Sequence, residues 1–379
     1  MARRAAKSLP EIAVLDDRDH VRLRPAMYIC DTGAGGLLNY AAELIAVSVN
    51  AAAEGKCTLI EVTIQEDGSI AVESDAPGIS GEGAHSPLKK SFTRFWDGRI
   101  KFGGLFTVGL APIAFLSDWM TVESHLDGRV WTLNLREGAK IVEGPLEGPP
   151  DPRPGLKIHA MPDPAIFNGT AFDYGAIVGR CCAFALYHRA LTIKIADRRS
   201  GEKRELHYSG GAAQRLEEIA PLPEVDGNGC IVATGEVRLG KDVVRFDLAM
   251  KYASGHLGCA PQELYANTMF VPGGGAPLRG AVDGLVEAAA QVRCYSEEDQ
   301  KRQLTRAAIV GAHLARNIAV VLTVEIPSPR FEGSSRVTLM NAELHGLMRG
   351  LVLAAVPRSH SRGDEESFWR FLDNEYGWV

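Results

Sequence analysis

An amphipathic segment from Gly35 to Gly55, followed at once by two alternating runs around an Asp-Gly turn, restricts the fold of this chain more than any other feature. Leu37, Tyr40, Ala41, Leu44, Ile45, Ser48 and Ala52 recur at helical spacing, and Gly55 supplies the stop. The runs Leu59 to Ile64 and Ser69 to Glu73 flank Glu66-Asp67-Gly68. Asp-Gly provides the positive φ that a tight hairpin turn needs. A second Asp-Gly, Asp127-Gly128, separates Thr121 to Glu123 from Val130 to Leu135, and further strand-like pairs flank Arg199-Ser200-Gly201 and Leu239-Gly240-Lys241. Helices on one side of hairpin-rich sheet predict an α+β layer sandwich, repeated in a second unit.

The candidate boundary between the two units is Ser209-Gly210-Gly211, followed by Pro221 to Pro223. Beyond it the pattern predicts strands within Ile231 to Tyr252, helices over about Ala281 to Leu314, an apolar strand Ile318 to Ile326 and a helix over about Leu339 to Ala355. The tail from Pro357 to Val379 mixes charge with Trp369, Tyr376 and Trp378.

With 379 residues, 46% hydrophobic and 23% charged, the chain is long enough for two or three domains with full cores. A formal net charge of -6 argues against a protein that holds DNA by its whole surface, which leaves DNA contact to a local basic patch. The seven cysteines show no C-x-x-C spacing, and acidic residues follow the basic start Met1 to Lys7 where a targeting sequence would be apolar. No uninterrupted apolar run approaches the ~20 residues needed to span a bilayer. A cytoplasmic protein with reduced thiols and no membrane partner is expected. The ten histidines lack metal-ligand spacing, and Cys181-Cys182 falls in the apolar stretch Ile177 to Leu186, which reads as core.

Several stretches in fixed order carry a resemblance. They are Arg22-Leu-Arg-Pro-Ala-Met-Tyr-Ile-Cys-Asp31, Glu43 on the following helix, Gly103-Gly104-Leu105-Phe106-Thr107-Val108-Gly109, Ala196 to Gly211, and Val320 to Phe331 with the Ile-Pro-Ser-Pro-Arg-Phe-Glu-Gly run. Together, over about residues 18 to 350, the chain resembles the ATPase and transducer region of bacterial gyrase B and topoisomerase IV ParE, members of the GHKL (Bergerat-fold) superfamily. The resemblance implies an N-terminal arm over 1–18, a GHKL α/β sandwich over 19–211, a transducer domain of the ribosomal-protein-like βαβ type over 212–356 and a tail over 357–379. It also implies a dimer, homodimeric or formed with a paralogue, in which the arm of one protomer wraps its partner through Leu9, Ile12 and Leu15. The metal-binding TOPRIM domain used in DNA cleavage is not expected in this chain.

In the family, a glutamate at the position of Glu43 is the general base that polarises the attacking water, and ATP with Mg2+ is the cofactor. By spacing alone Glu43 reads first as a solvated helix residue, and it is the surrounding match that turns it into a pocket residue. The family's magnesium-holding Asn falls on Val47, which has no oxygen for a hard cation. Asn50 shares the face of Glu43 and is the alternative metal ligand, or else a surface residue. In Ser74-Asp75-Ala76-Pro77-Gly78-Ile79, the carboxylate that receives the adenine amino group falls on Ser74, while Asp75 points the other way and Ala76 replaces a glycine. Leu156 stands where the family has a Thr contact to the base. Lys101, Gly104, Leu105, Val108 and Gly109 form the candidate phosphate turn, although such turns are also common for steric reasons. The segment between Ser91 and Gly103 is shorter than the family's lid. Arg336, in Ser334-Ser335-Arg336, keeps a cation where the family's Gln-Thr-Lys loop reaches the γ-phosphate, and reads equally as a surface arginine.

Three functions compete. The first is a stand-alone, diverged gyrase B-like dimer with weak or altered ATP binding, no DNA cleavage and a regulatory or accessory role. The second is an enzyme whose pocket has been reshaped for a small molecule, with Glu43 as general base. The third is a decoy for gyrase inhibitors.

Overall fold

The computed structural model describes residues 16–95, 108–169, 171–221, 230–253, 259–291, 316–333 and 336–360. Two compact units emerge. The first runs to Ile177 and also takes Ile195–Lys203, and the second takes Val178–Lys194 and the chain from Arg204 on. The expected arm residues Leu9, Ile12 and Leu15 and the tail residues Trp369, Tyr376 and Trp378 lie outside the described residues, as do Lys101, Gly104, Leu105 and residues 96–102 of the shortened lid segment.

The first unit opens with α1 (Asp17–Leu23), α2 (Ala26–Ile29) and the 20-residue α3 (Ala34–Ala53). Asp31 starts α3, its Oδ1 accepting hydrogen bonds from the backbone N–H groups of Gly33 and Gly36 at 2.7 and 2.9 Å. The expected apolar stripe is buried from Leu37 to Ser48, with Ala52 half-buried near the helix end, and Ala42, Glu43 and Ala46 on its flank are buried too. By length and composition α3 could cross a membrane, but 61% of its apolar window is packed inside the fold, as in a core helix. Two strands follow, β1 (Leu59–Ile64) and β2 (Ile70–Ser74), paired antiparallel with Val62 opposite Val72. The hairpin turns at Asp67-Gly68, where Gly68 has φ +85°.

Next come α4 (Pro87–Thr93), α5 (Leu110–Phe115), β3 (Ser117–Leu126), β4 (Arg129–Arg136), β5 (Lys140–Glu147), β6 (Gly155–Pro162) and α6 (Pro164–Phe167). α7 (Tyr174–Tyr187), β7 (Thr192–Asp197) and β8 (Lys203–Leu206) complete this part of the chain. The eight strands form one sheet in the order β5-β4-β3-β6-β2-β1-β7-β8. β6 enters between β2 and β3, setting Leu156 opposite both Ser74 and Ser124. Tyr40, buried on α3, is held to Ser117 by a 2.6 Å hydroxyl contact, and Ser117 donates to the Ile113 carbonyl. That pair fixes α3 against the start of β3.

The second unit contains α8 (Gly211–Ile219), β9 (Ile231–Leu239), β10 (Asp242–Tyr252), β11 (Gln262–Ala266), β12 (Met269–Phe270), α9 (Ala276–Gln291), β13 (Ile318–Glu325) and α10 (Ala342–His360). Its sheet runs β12-β11-β13-β10-β9. β11 pairs parallel with β13, and α9 lies between them in the chain, which is the βαβ unit expected of a transducer. Leu264, Val320, Leu322, Leu285, Leu344 and Met348 form its core.

Two expectations shift. The helix expected from Ala281 starts at Ala276, and its stretch past Gln291 lies outside the described residues. α10 does not end at Ala355 but continues through Pro357 to His360. Pro357 lacks the N–H that would bond to Leu353, yet the helix runs three residues past it.

Candidate functional site

Glu43 lies on the flank of α3, only 7% exposed. A buried carboxylate needs hydrogen-bond donors. One is the backbone N–H of Gly109, 3.3 Å from Oε2. Gly109 caps α5 with φ +82°, a conformation that costs a residue without a Cβ nothing and turns its N–H toward α3. Val108, half-buried, precedes it. The structure therefore brings Glu43 to the end of the expected phosphate turn.

Val47 and Asn50, both half-buried, continue along α3. Val47 contributes only methyl groups, whereas a hard divalent cation takes oxygen ligands. Asn50, seven residues beyond Glu43, is displaced about 10 Å along the helix axis. Among the described residues, no cluster of three or more His, Cys, Asp or Glu side chains is arranged to hold a metal.

At the end of β2, Ser74 faces α3. Its Oγ is 2.7 Å from Ser48 Oγ and donates a longer bond, 3.4 Å, to the Leu156 carbonyl. Asp75 turns elsewhere, accepting from Thr58 N and Oγ1 and from Leu59 N at 2.9, 2.6 and 3.0 Å. Burial pushes the Asp75 carboxyl up, but the hydrogen bonds from Thr58, Cys57 and Leu59 outweigh it and hold it below the ordinary carboxylate range. The neighbouring Cys57 thiol is driven up to about 12, first by burial and then by Asp75.

The next loop is fastened to β3. Gly78 N–H donates to the His125 carbonyl at 2.9 Å, Ile79 N–H donates to Ser124 Oγ at 2.6 Å, and Ser124 Oγ donates to the Ile79 carbonyl at 2.9 Å. Ser74, Asp75 and Leu156 also border an open cleft of about 290 Å³ across the strand ends, with Glu123, His125 and Asp151. His125 Nε2 lies 2.9 Å from Glu123 Oε1. Among the described residues, neither Glu43 nor Gly109 borders that cleft.

Arg336 belongs to the second unit. It has φ +54°, and its guanidinium sits 6.0 Å from the Phe331 ring centroid, with Nη1 4.0 Å from Met269 Sδ. Its neighbours Ser334 and Ser335 lie outside the described residues.

Ser48 and Ser124 were not among the site residues expected from the sequence. Ser48 carried a signal, being a hydroxyl within an otherwise apolar stripe. Ser124 carried none, because its partners lie on a loop remote in sequence.

The fold has close counterparts among solved structures. The 43K ATPase domain of Thermus thermophilus gyrase B, solved in complex with an aminocoumarin, matches with a TM-score of 0.67 at 22% identity, covering 94% of this chain and 97% of that one. The gyrase B protein of Myxococcus xanthus also gives 0.67 at 22% identity, covering 89% and 94%. Residues 212–359 match the family model for DNA gyrase B. The DNA gyrase B protein of Halalkalibacterium halodurans is 30% identical over 347 residues, covering 88% of this chain and 53% of that protein.

The chain is a gyrase B- and ParE-like GHKL and transducer region.

The gyrase B protein from Clostridium acetobutylicum, 28% identical over 361 residues, agrees in extent, covering 90% of this chain and 54% of its own. This gyrase B-like region thus spans about half the length of the curated relatives it matches.

Proposed function

We propose that this gyrase B-like region works as a dimer with a degenerate nucleotide pocket, one that binds ATP weakly or takes another small ligand, in a regulatory or accessory role. The observation that carries the reading is the contrast along α3. Glu43 is kept, buried and joined to Gly109, while Val47, four residues on, supplies no oxygen where the family's magnesium ligand stands. Magnesium therefore does not fit this helix as the family holds it, and no hydrolytic step is assigned to it.

Magnitudes favour weak binding. A hydrogen bond to a charged group is worth about 1.5–3 kcal/mol. Losing the metal ligand, the base-side carboxylate and the Thr contact together costs several kcal/mol, and each ~4 kcal/mol is a factor of about a thousand in affinity.

Titration calorimetry with ATP, ADP and GTP, each with magnesium, tests this, using Glu43→Ala as a control. Millimolar or undetectable ATP binding that magnesium does not improve is expected. Micromolar, magnesium-dependent binding would sink the proposal.

A pocket reshaped for a small-molecule substrate, with Glu43 as its base, is the second reading. It is supported by Ala76 and Leu156, which are buried at 2% and 3% exposure and replace polar or backbone-open positions of the family with hydrocarbon. Heat from a neutral small molecule, and none from any nucleotide, would favour it.

A further inference from the structure

We propose that β9 is a self-association edge, along which a second copy of this chain adds its own β9 antiparallel and joins two five-stranded sheets into one. The inference is independent of how the pocket is read.

The two sheets have four edges, and three of them are blunted. β5 carries Pro145, which has no N–H to offer, and its pairing with β4 is broken by two register shifts. β8 is four residues long and opens with the exposed charges Lys203, Arg204 and Glu205, while β12 is only two residues long. β9 has none of these defences. It runs from Ile231 to Leu239 without proline or lysine, and it pairs with β10 over that whole length without a break in register. Among the described residues, no strand lies on its other side. Such an edge presents a row of backbone N–H and C=O groups that a further strand can pair with.

The side chains choose the partner. Ile231, Ala233, Val237 and Leu239 pack on the core side, whereas Val232, Thr234, Glu236 and Arg238 stand exposed on the other. Directly opposite residues of an antiparallel pair share a face. A twofold axis through Val237 therefore sets Glu236 opposite the partner's Arg238, and Arg238 opposite the partner's Glu236. On the core side Val237 meets its own copy, and Leu239 lies opposite Gly235, which has no side chain to oppose it. An axis through Glu236 or Arg238 would oppose like charges, and one through Gly235 would face both charges with neutral residues. Gly235-Glu236-Val237-Arg238-Leu239 is thus self-complementary in this register, as an interface between identical chains requires. A ladder of five residues is a small contact, so the association is weak and reversible.

Sedimentation equilibrium of the full chain at rising concentration, up to about 1 mM, tests this. The samples are the wild type, Arg238→Glu, Glu236→Arg, and an equal mixture of the two variants. The wild type is expected to gain mass with concentration, and any pairing elsewhere on the chain sets only the starting mass. Each variant turns two Glu–Arg pairs of the symmetric contact into two like-charge pairs, and is expected to associate about tenfold more weakly or worse. In the mixture both arginines of one chain face both glutamates of the other, so association returns to within about threefold of the wild type. Glu236 also lies 3.4 Å from Arg245, a contact that Arg238→Glu leaves in place. Urea midpoints show that each variant is folded.

A wild type whose mass does not rise with concentration would overturn the proposal, and would leave β9 to an extended segment of some other protein. Association that both variants retain in full would overturn it too, since the contact would then lie elsewhere. So would a mixture of folded variants that associates no better than either alone. Amide exchange gives the location: protection of β9 is expected to grow with concentration in the wild type and in neither variant.

Discussion

A Cβ placed on Gly78 would lie 2.5 Å from Ser124 Oγ and 2.6 Å from the His125 nitrogen. Neither atom can move without breaking the bonds that fasten the loop to β3. Gly78→Ala is therefore expected to cost about 1–3 kcal/mol, seen as a lower urea midpoint, with faster amide exchange at Ile79. Arg22 shows a related economy, since its guanidinium donates to the Phe115 carbonyl and to Asp163, whose side chain is only 12% exposed. Arg22→Met should destabilise by about 1–3 kcal/mol, because it strands a mostly buried carboxylate. At this scale the sequence was only partly legible. Glu43 and Ser74 could be singled out from the resemblance, and Asp75 could be expected to face away from alternation alone. The Ser48–Ser74 contact could not be foreseen, because it joins a helix to a strand 26 residues away and depends on their docking.

Among the elements, those built from local signals were the most readable. α3 follows from its apolar spacing, and the β1–β2 hairpin from Asp67-Gly68. β3 was harder to delimit, because the alternation visible at Thr121 to Glu123 extends over all of Ser117–Leu126 only once β4 and β6 pair with it. The place of β6 between β2 and β3 is set by non-local register, which no short window contains. In the second unit, β13 is buried along nearly its whole length, as its strongly apolar sequence foretold. Leu322, fully buried at its centre, faces Leu248 and Leu264 on the neighbouring strands. Leu322→Ala is expected to cost about 2–5 kcal/mol. Hydrogen exchange should report the loss in β10 and β11 first.

For the molecule as a whole, acid is the expected weakness. Burial pushes the imidazoles of His159 and His188 below their ordinary value. The hydroxyl and backbone N–H of Ser69 lower Asp67, the Arg199 guanidinium lowers Asp197, and the bonds from Thr58, Cys57 and Leu59 lower Asp75. Every one of these groups binds protons more readily in the unfolded chain. Their stabilisation is fully present above the unfolded values and is lost as pH falls through the folded ones. The urea midpoint should therefore begin to drop below about pH 6.5, as the histidines contribute, and fall more steeply below about pH 4. Asp197→Asn should flatten the lower limb while leaving the upper one in place. The position of β13 bears on how such a molecule is made. It lies between β10 and β11 yet is the last of the described strands in the chain, so β10 and β11 leave the ribosome long before the strand that joins them exists. Until Ile318–Glu325 emerges, their apolar edges have no native neighbour, and the second unit completes its sheet late in synthesis, exposed in the meantime to chaperones or to aggregation.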